Sequence, residues 1–317
     1  MAGDARSSST ARPAPVICLA GPTGSGKTAV ALLLARELNG EVINADSRQV
    51  YADFPLITAQ PSPEERAACP HHLYGFLPAT QKISAGQWVE QAAAKAREVL
   101  ARGRTPLLVG GTGLYFQALL RGIADIPPLD PAIIARLDAR LDAEGVPALH
   151  AELHKADPAY AARIHPNDRQ RIARALEVLE GTGRPFSWWH ENAMSAPLCR
   201  GALLVLNAGL AWLEPRLARR LDLMLAAGSL DEARRARARC ADPAAPGWSG
   251  IGAAEALAHL QGRISLDECR RLWLRNTRAY AKRQLTWFRA RPEALFLPPD
   301  NVAAVLEEAR RHWTAPV

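Results

Sequence analysis

Eight residues near the start of the chain constrain its fold more than any others: Gly21, Pro22, Thr23, Gly24, Ser25, Gly26, Lys27 and Thr28. A short apolar run at 15–20 precedes them, and an amphipathic stretch at 29–38 follows. GxxxxGK[ST] between a strand and a helix is the phosphate-binding P-loop. Its glycines let backbone N–H groups face an anion closely, and the following helix adds the positive end of its dipole. Lys27 is placed to reach terminal phosphate oxygens, and the Thr28 hydroxyl to ligate Mg²⁺. The motif specifies a phosphate or diphosphate, and does not by itself specify ATP.

A loop of this kind needs a parallel sheet behind it. Strand-like runs at 15–20, 41–45 and 106–109 alternate with helical patterns at 29–38, 84–102 and 114–120. Ser84 and Gln87 form a capping box at the start of the second helix. This alternation predicts an α/β fold with a parallel sheet and flanking helices. Between 126 and 195 only helices and turns are legible, so an all-helical insertion is expected there. A strand at 202–206 returns to the core, and the chain is then mostly helical from 212 to 291. A second capping box, Ser265 with Glu268, opens a long helix reaching about 288. A last strand at 294–297 and a helix at 302–313 close the chain. The expected domains are thus 14–125 with 196–317, and 126–195. Residues 1–13 are small, polar and aperiodic, and read as a disordered tail.

Composition narrows the function. No run approaches the ~20 apolar residues that span a bilayer, which excludes a helical membrane protein. Cys18, Cys69, Cys199, Cys240 and Cys269 are scattered, with no CxxC spacing, and point to a reducing cytoplasm. The net charge is +7, and residues 163–317 hold 24 basic against 16 acidic residues. Of those 24, only Lys282 is lysine. Arginine-rich charge fits a polyanionic partner, and an arginine-rich genome produces the same composition.

Several residues near the predicted strand ends bear chemistry. Asp46 follows the second strand, where a carboxylate faces the ligand crevice of a parallel sheet. It suits a general base or a water-mediated Mg²⁺ contact, and equally a helix cap. Thr112, within Gly110-Gly111-Thr112-Gly113, follows the third strand as a hydrogen-bond donor to substrate or as part of a tight turn. Arg216 and Arg220 share a helix face, as a diphosphate clamp or as a solvated basic face. No apolar strand ending in a metal-holding Asp follows the P-loop, which weakens an ATPase reading. Arg169, Arg171 and Arg174 make one basic helical segment. Lys282, Arg283, Gln284, Thr286, Trp287, Phe288 and Arg289 make another, mixing cations with flat rings as single-stranded RNA binding requires, although the rings also suit a core. His71 and His72 lack a surrounding ligand set and read as structural or substrate-adjacent.

In this order the motifs resemble the tRNA dimethylallyltransferase (tRNA isopentenyltransferase) family of bacterial type. The matching pieces are GPTGSGKT at 21–28, DSRQVY at 46–51, LLVGGTGLYFQAL at 107–119 and RIHPNDRQRIARALEV at 163–178, followed by RLARRLDLML at 216–225 and AKRQLTWFR at 281–289. Where the family usually continues RGMDIGTAKP, this chain has Ala52 to Pro61, with Ile57 for a glycine and Gln60 for the lysine. Near 251 it reads Ile251-Gly252-Ala253-Ala254-Glu255, without the usual tyrosine and basic residue.

The resemblance implies a P-loop nucleoside-triphosphate-hydrolase-like core. It also implies transfer of a dimethylallyl group from dimethylallyl diphosphate to N6 of adenosine 37, in tRNAs reading codons that begin with U. The P-loop, residues 21–28, would then hold the donor diphosphate with Mg²⁺ at Thr28. Asp46, Thr112 and Arg220 would be catalytic. Asp46, Ser47, Arg48, Gln49, Gln170, Arg171, Arg174, Lys282, Arg283, Gln284, Thr286, Trp287 and Arg289 would touch the tRNA, with the helical insertion gripping the anticodon stem-loop. A cytoplasmic monomer with no obligate protein partner is expected. The residues alone leave two alternatives: a P-loop small-molecule kinase, which would bind ATP, and an RNA-binding protein with a relic P-loop.

Overall fold

The computed structural model describes residues 12–313, so most of the expected tail at 1–13 lies outside the described residues. The first stretch runs β1 (Ala14–Pro15), β2 (Ile17–Ala20), α1 (Lys27–Glu37), β3 (Gly40–Asn44), α2 (Pro63–Ala68) and β4 (His71–His72). It continues through α3 (Ala85–Ala101), β5 (Thr105–Gly110) and α4 (Gly113–Arg121). Five helices come next: α5 (Pro131–Glu144), α6 (Val146–Ala156), α7 (Pro158–Ala161), α8 (Arg169–Thr182) and α9 (Phe186–Asn192). The chain then makes β6 (Cys199–Arg200), β7 (Leu203–Leu206), α10 (Leu210–Ala226), α11 (Ser229–Arg239) and α12 (Ala253–Leu260). It ends with α13 (Leu266–Arg289), β8 (Ala294–Leu297) and α14 (Val302–His312).

Two compact units result, one holding the chain up to Leu120 and from Pro197 onward, the other Arg121–Ala196. In the first unit six strands form a sheet in the order β4-β3-β5-β2-β7-β8, with every neighbouring pair parallel. β1 and β6 pair separately, also in parallel. The four inner strands are buried along their whole length, which is why they read as unbroken apolar runs rather than alternating ones. Ile17, Leu19, Val42, Leu107 and Leu204 pack with Val30 and Leu34 of α1 and Val305 and Ala309 of α14. Residues between them, such as Cys18, Ile43 and Leu108, point to the other face.

Trp88 of α3 is fully buried, stacks on Tyr115 at a centroid distance of 4.0 Å, and donates to the Asn44 carbonyl at 3.2 Å. It thereby fixes the end of β3 from which Asp46 emerges. α2, β1, β4 and β6 are too short to carry a periodic signal, and sequence reading passes over them. His71 and His72 form the edge strand β4. His72 Nε2 lies 2.6 Å from the buried Glu41, and His71 Nδ1 lies 2.8 Å from the Cys69 carbonyl oxygen.

The second unit, taken by itself, is helical apart from an isolated bridge between Ala124 and Met194. Leu137, Leu141, Leu149, Leu153, Ile172 and Leu176 form its core. Buried Asp157 accepts from Tyr160 N at 3.1 Å and Ser187 N at 2.9 Å, tying α7 to α9. Among the described residues no helix is long and apolar enough to cross a membrane.

Candidate active site

The parallel register brings three strand ends together. Ala20 pairs with Gly110 and Val205, and Asn44 with Val109, so the turns after β2, β3 and β5 leave the same edge of the sheet. These turns carry the P-loop, Asp46 and Thr112. They also approach closely: a Cβ on Gly110 would lie 2.1 Å from the Ala45 carbonyl group.

Within the P-loop, Gly24 (φ 80°) and Gly26 (φ 86°) adopt the left-handed conformation that favours glycine. Lys27 Nζ donates to the carbonyls of Gly21 at 2.9 Å and Pro22 at 2.8 Å. Burial lowers the Lys27 pKa to about 8; Asp46 opposes this and Arg220 adds to it. The Ser25 hydroxyl is buried in the loop without a hydrogen-bond partner. A buried hydroxyl left unpaired within a P-loop fits a phosphate oxygen as its partner. Pro22 is buried, and Thr28 is exposed at the start of α1.

A cavity of about 250 Å³ opens beside this loop. Its polar wall holds Thr23, Asp46, Arg48, Arg220 and Arg283, together with Ser249, Thr277 and Tyr280. Its apolar wall holds Ile57, Leu217, Leu221, Met224, Ile251 and Trp273. Asp46 is held by its own strand: its N–H donates to Asn44 Oδ1 at 2.8 Å, and its Oδ1 accepts from Arg48 N at 2.8 Å. Burial lowers the Arg220 pKa, and the charges of Asp46 and Glu65 oppose that shift. A carboxylate and an arginine thus face one space beside the P-loop, within whose turn Lys27 is held by the Gly21 and Pro22 carbonyls.

The structure separates the two arginines that share a face in sequence. Arg220 enters the cavity, whereas Arg216 is exposed and lies 3.6 Å over the Trp212 ring. The solvated-face alternative therefore describes Arg216. Thr112 does not line the cavity: its Oγ1 accepts from Ser47 N at 2.9 Å, and it is hydrogen-bonded with the Tyr280 hydroxyl. Here it secures the turn that follows Asp46.

Gln284 is buried, accepts from Thr23 N at 2.9 Å and donates to the Gly111 carbonyl at 2.8 Å. Its amide bridges the P-loop and the glycine turn. Gln49 is likewise engaged, donating to the carbonyls of Thr58 and Ala59 at 3.0 and 2.6 Å.

Arg48 donates to Ser249 Oγ at 2.9 Å on the cavity rim. Lys282, Arg283, Thr286 and Arg289 are exposed, while Trp287 is half-buried against Gly113, where a Cβ would come within 2.2 Å of its ring. In the second unit Gln170 and Arg171 are exposed, and Arg174 is 3.1 Å from Glu177.

Tyr280, Trp273 and Thr277 line the cavity although none of them belongs to a motif, and motif reading passes over all three. With Gln284 they follow i, i+4, i+7, i+11 along α13, the spacing of one helix face, and that spacing was the available signal. Burial raises the Tyr280 pKa and Asp46 raises it further, so its hydroxyl stays protonated. Among the described residues no group of three or more His, Cys, Asp or Glu forms a metal cluster. Mg²⁺ does not require one. It keeps several waters and binds largely through substrate phosphates; in a P-loop the Ser/Thr hydroxyl is its protein contact, and Thr28 holds that position.

Residues 49–291 match the family described as IPP transferase. The chain belongs to the IPP transferase family. It is 69% identical over 307 residues to the tRNA dimethylallyltransferase of Desulfovibrio desulfuricans, covering 97% of this chain and 95% of that one. It is 60% identical over 311 residues to the tRNA dimethylallyltransferase of Nitratidesulfovibrio vulgaris, covering 93% and 92%. Its fold matches the crystal structure of the full-length tRNA isopentenylpyrophosphate transferase of Bacillus halodurans with a TM-score of 0.65 at 34% identity, covering 94% and 98%. A eukaryotic dimethylallyltransferase captured acting on tRNA matches with a TM-score of 0.77 at 28% identity, covering 94% of this chain and 77% of that one. These IPP transferase matches carry prenyl-transfer names and favour that reading over a small-molecule kinase.

Proposed function

We propose that this protein transfers a dimethylallyl group from dimethylallyl diphosphate to N6 of adenosine 37, in tRNAs reading codons that begin with U. The observation that carries the reading is the single cavity in which Asp46 and Arg220 stand beside the P-loop and an apolar wall. The diphosphate sits in the P-loop, against its backbone amides, Ser25 and Lys27, with Arg220 across from it. The dimethylallyl group lies on the apolar wall.

The C1–O bond of the donor breaks, and its electron pair leaves on the diphosphate. The N6 lone pair of the adenine forms the new C–N bond to C1, and the N6 proton passes to Asp46. Lys27 and Arg220 stabilise the negative charge that develops on the leaving oxygen. Asp46 accepts the hydrogen bond of a weakly nucleophilic amine and then its proton. Thr112 and Tyr280 hold the Asp46–Ser47 turn in place. Thr28 would hold Mg²⁺, which would further neutralise the diphosphate. The target base leaves its stack to reach the cavity. Arg48, Arg283, Lys282 and Arg289 offer cations to RNA phosphates around its mouth. The protein is expected to act as a cytoplasmic monomer.

The test is transfer of label from dimethylallyl diphosphate to an anticodon stem-loop carrying adenosine at 36 and 37, with ATP as a parallel donor. Label on RNA from the prenyl donor alone is the expected result. ATP turnover without RNA labelling would instead establish a kinase. Tight, salt-sensitive RNA binding that survives Lys27→Ala, with no turnover, would establish a binding protein.

A further inference from the structure

We propose that Ile57 sets the length of prenyl chain this enzyme accepts, and that Glu232 is the positioning residue that holds Ile57 in the cavity wall. The inference rests on the prenyl-transfer reading of the site. Ile57 is 4% exposed and lines the apolar wall, packed in one cluster with Leu221, Met224 and Trp273. A β-branched side chain there occupies space that a longer donor would need.

An isoleucine on a loose loop could swing aside, but this loop is anchored along its length. The Glu232 carboxylate of α11 is 5% exposed and accepts from Leu56 N at 2.7 Å and from Ile57 N at 2.8 Å. Asp53 Oδ1 accepts from Arg239, also on α11, at 2.8 Å, while Asp53 Oδ2 accepts from Ala79 N at 3.0 Å. Gln60 Nε2 donates to the Tyr51 carbonyl at 2.7 Å. Two acidic-to-backbone anchors and one ion pair thus fix the backbone on both sides of Ile57, so its side chain keeps its place as a wall.

Trp273, in the same cluster, is equally fixed. Gly252 (φ 92°) approaches Trp273 so closely that a Cβ would lie 2.4 Å from its ring. A longer allylic donor would have to place its further carbons against this apolar wall, where Ile57 stands. A longer allylic donor would make and break the same bonds: C1–O breaks onto diphosphate, N6–C1 forms, and the N6 proton goes to Asp46. Only its tail would meet Ile57.

The experiment measures kcat/KM for geranyl diphosphate and for dimethylallyl diphosphate, with an anticodon stem-loop as acceptor. Wild type, Ile57→Ala, Ile57→Val and Glu232→Ala are compared. The ratio of geranyl to dimethylallyl is expected to rise at least tenfold in Ile57→Ala, in line with the discrimination available to a few methylenes in an apolar pocket. A smaller rise is expected in Ile57→Val, which loses one methylene and keeps the wall if the alanine variant does not fold. Glu232→Ala should shift the ratio in the same direction, through KM for the longer donor; a merely structural role would lower both donors' rates together. An unchanged ratio in both Ile57 variants would overturn the proposal. So would a change confined to KM for the RNA, which would assign the apolar wall to the adenine. Absence of dimethylallyl transfer by the wild type would instead overturn the functional reading on which this rests.

Discussion

β3 carries a carboxylate near each end, and the two could hardly differ more. Glu41, at its start, is buried between two guanidinium groups and an imidazole: Arg102 Nη2 at 2.5 Å, Arg104 Nη1 at 3.4 Å and His72 Nε2 at 2.6 Å. Burial alone would push its pKa up, but the hydrogen bonds from Arg102, His72 and Arg104 and the Arg102 charge bring it to about 2. Asp46, just past the other end, takes its hydrogen bonds from the backbone and opens onto a cavity where Lys27 and Arg220 exert their charges. A carboxylate whose oxygens are all claimed by side-chain donors stabilises a fold. One held by its backbone, with an open space before it, is available for a proton.

The largest effect that would break this contrast belongs to Asp46. Asp46→Asn keeps the backbone hydrogen bonds but cannot take a proton. Turnover should fall by about 10²–10⁴-fold, the span of general acid–base catalysis, with little change in melting temperature or RNA affinity. Parallel loss of RNA binding and of stability would make Asp46 structural, like Glu41.

Glu41→Gln is the reciprocal test. It should cost about 2 kcal/mol, the scale of hydrogen bonds to charged groups, and leave kcat near wild type. The folded pKa of Glu41 lies below its ordinary value of 4.5, at about 2. Its contribution is therefore present above pH 4.5 and is lost as pH falls toward 2. Urea denaturation at neutral pH and in that acid window should show the gap between wild type and variant closing on acidification. A gap that stays constant would mean that the ion pairs add nothing.

How much of this contrast could be read in advance depends on how local its causes are. The P-loop was legible because its conformational demands are written into consecutive residues: Gly24 and Gly26 sit at positive φ, and Lys27 follows. The parallel strands were legible because burial on both faces leaves unbroken apolar runs. The loop-bridging role of Gln284 was not legible because its partners, Thr23 and Gly111, lie far away in sequence, and nothing in AKRQLTWFR distinguishes an amide turned inward from one turned to RNA. Ile57 and Glu232 were missed for the same reason: a wall made by a loop and a helix 175 residues later has no local pattern. Asp46 was legible from its place after the C-terminal end of its strand, whereas the partners that claim Glu41, Arg102 and Arg104, lie 61 and 63 residues away.

Lys27 gives an intermediate effect. With its pKa lowered to about 8, it loses its charge in the upper part of the accessible pH range. Donor affinity should therefore weaken as pH rises through 8, approaching tenfold per unit well above it, because the diphosphate binds the charged form. Lys27→Arg should flatten this limb even if it raises KM, since a guanidinium stays protonated. A limb that persists in Lys27→Arg would assign the titration to another group.

The smallest effect tests whether a cavity, rather than a charge, is what makes a residue functional. Arg216 and Arg220 lie four apart on α10, and both are arginines, so sequence treats them alike. Arg216 stacks on Trp212 at the surface, an arrangement worth about 0.5–1 kcal/mol at an exposed site. Arg216→Ala should thus lower stability slightly and leave kcat/KM for the donor within about twofold, because a cation outside the cavity is screened from the leaving group by water. Arg220→Ala removes the cation that faces Asp46 and the P-loop, and should raise KM for the donor and lower kcat together. Equal losses from the two substitutions would mean that long-range charge, not placement in the cavity, governs the site. The distinction drawn between Glu41 and Asp46 would then lose its main support.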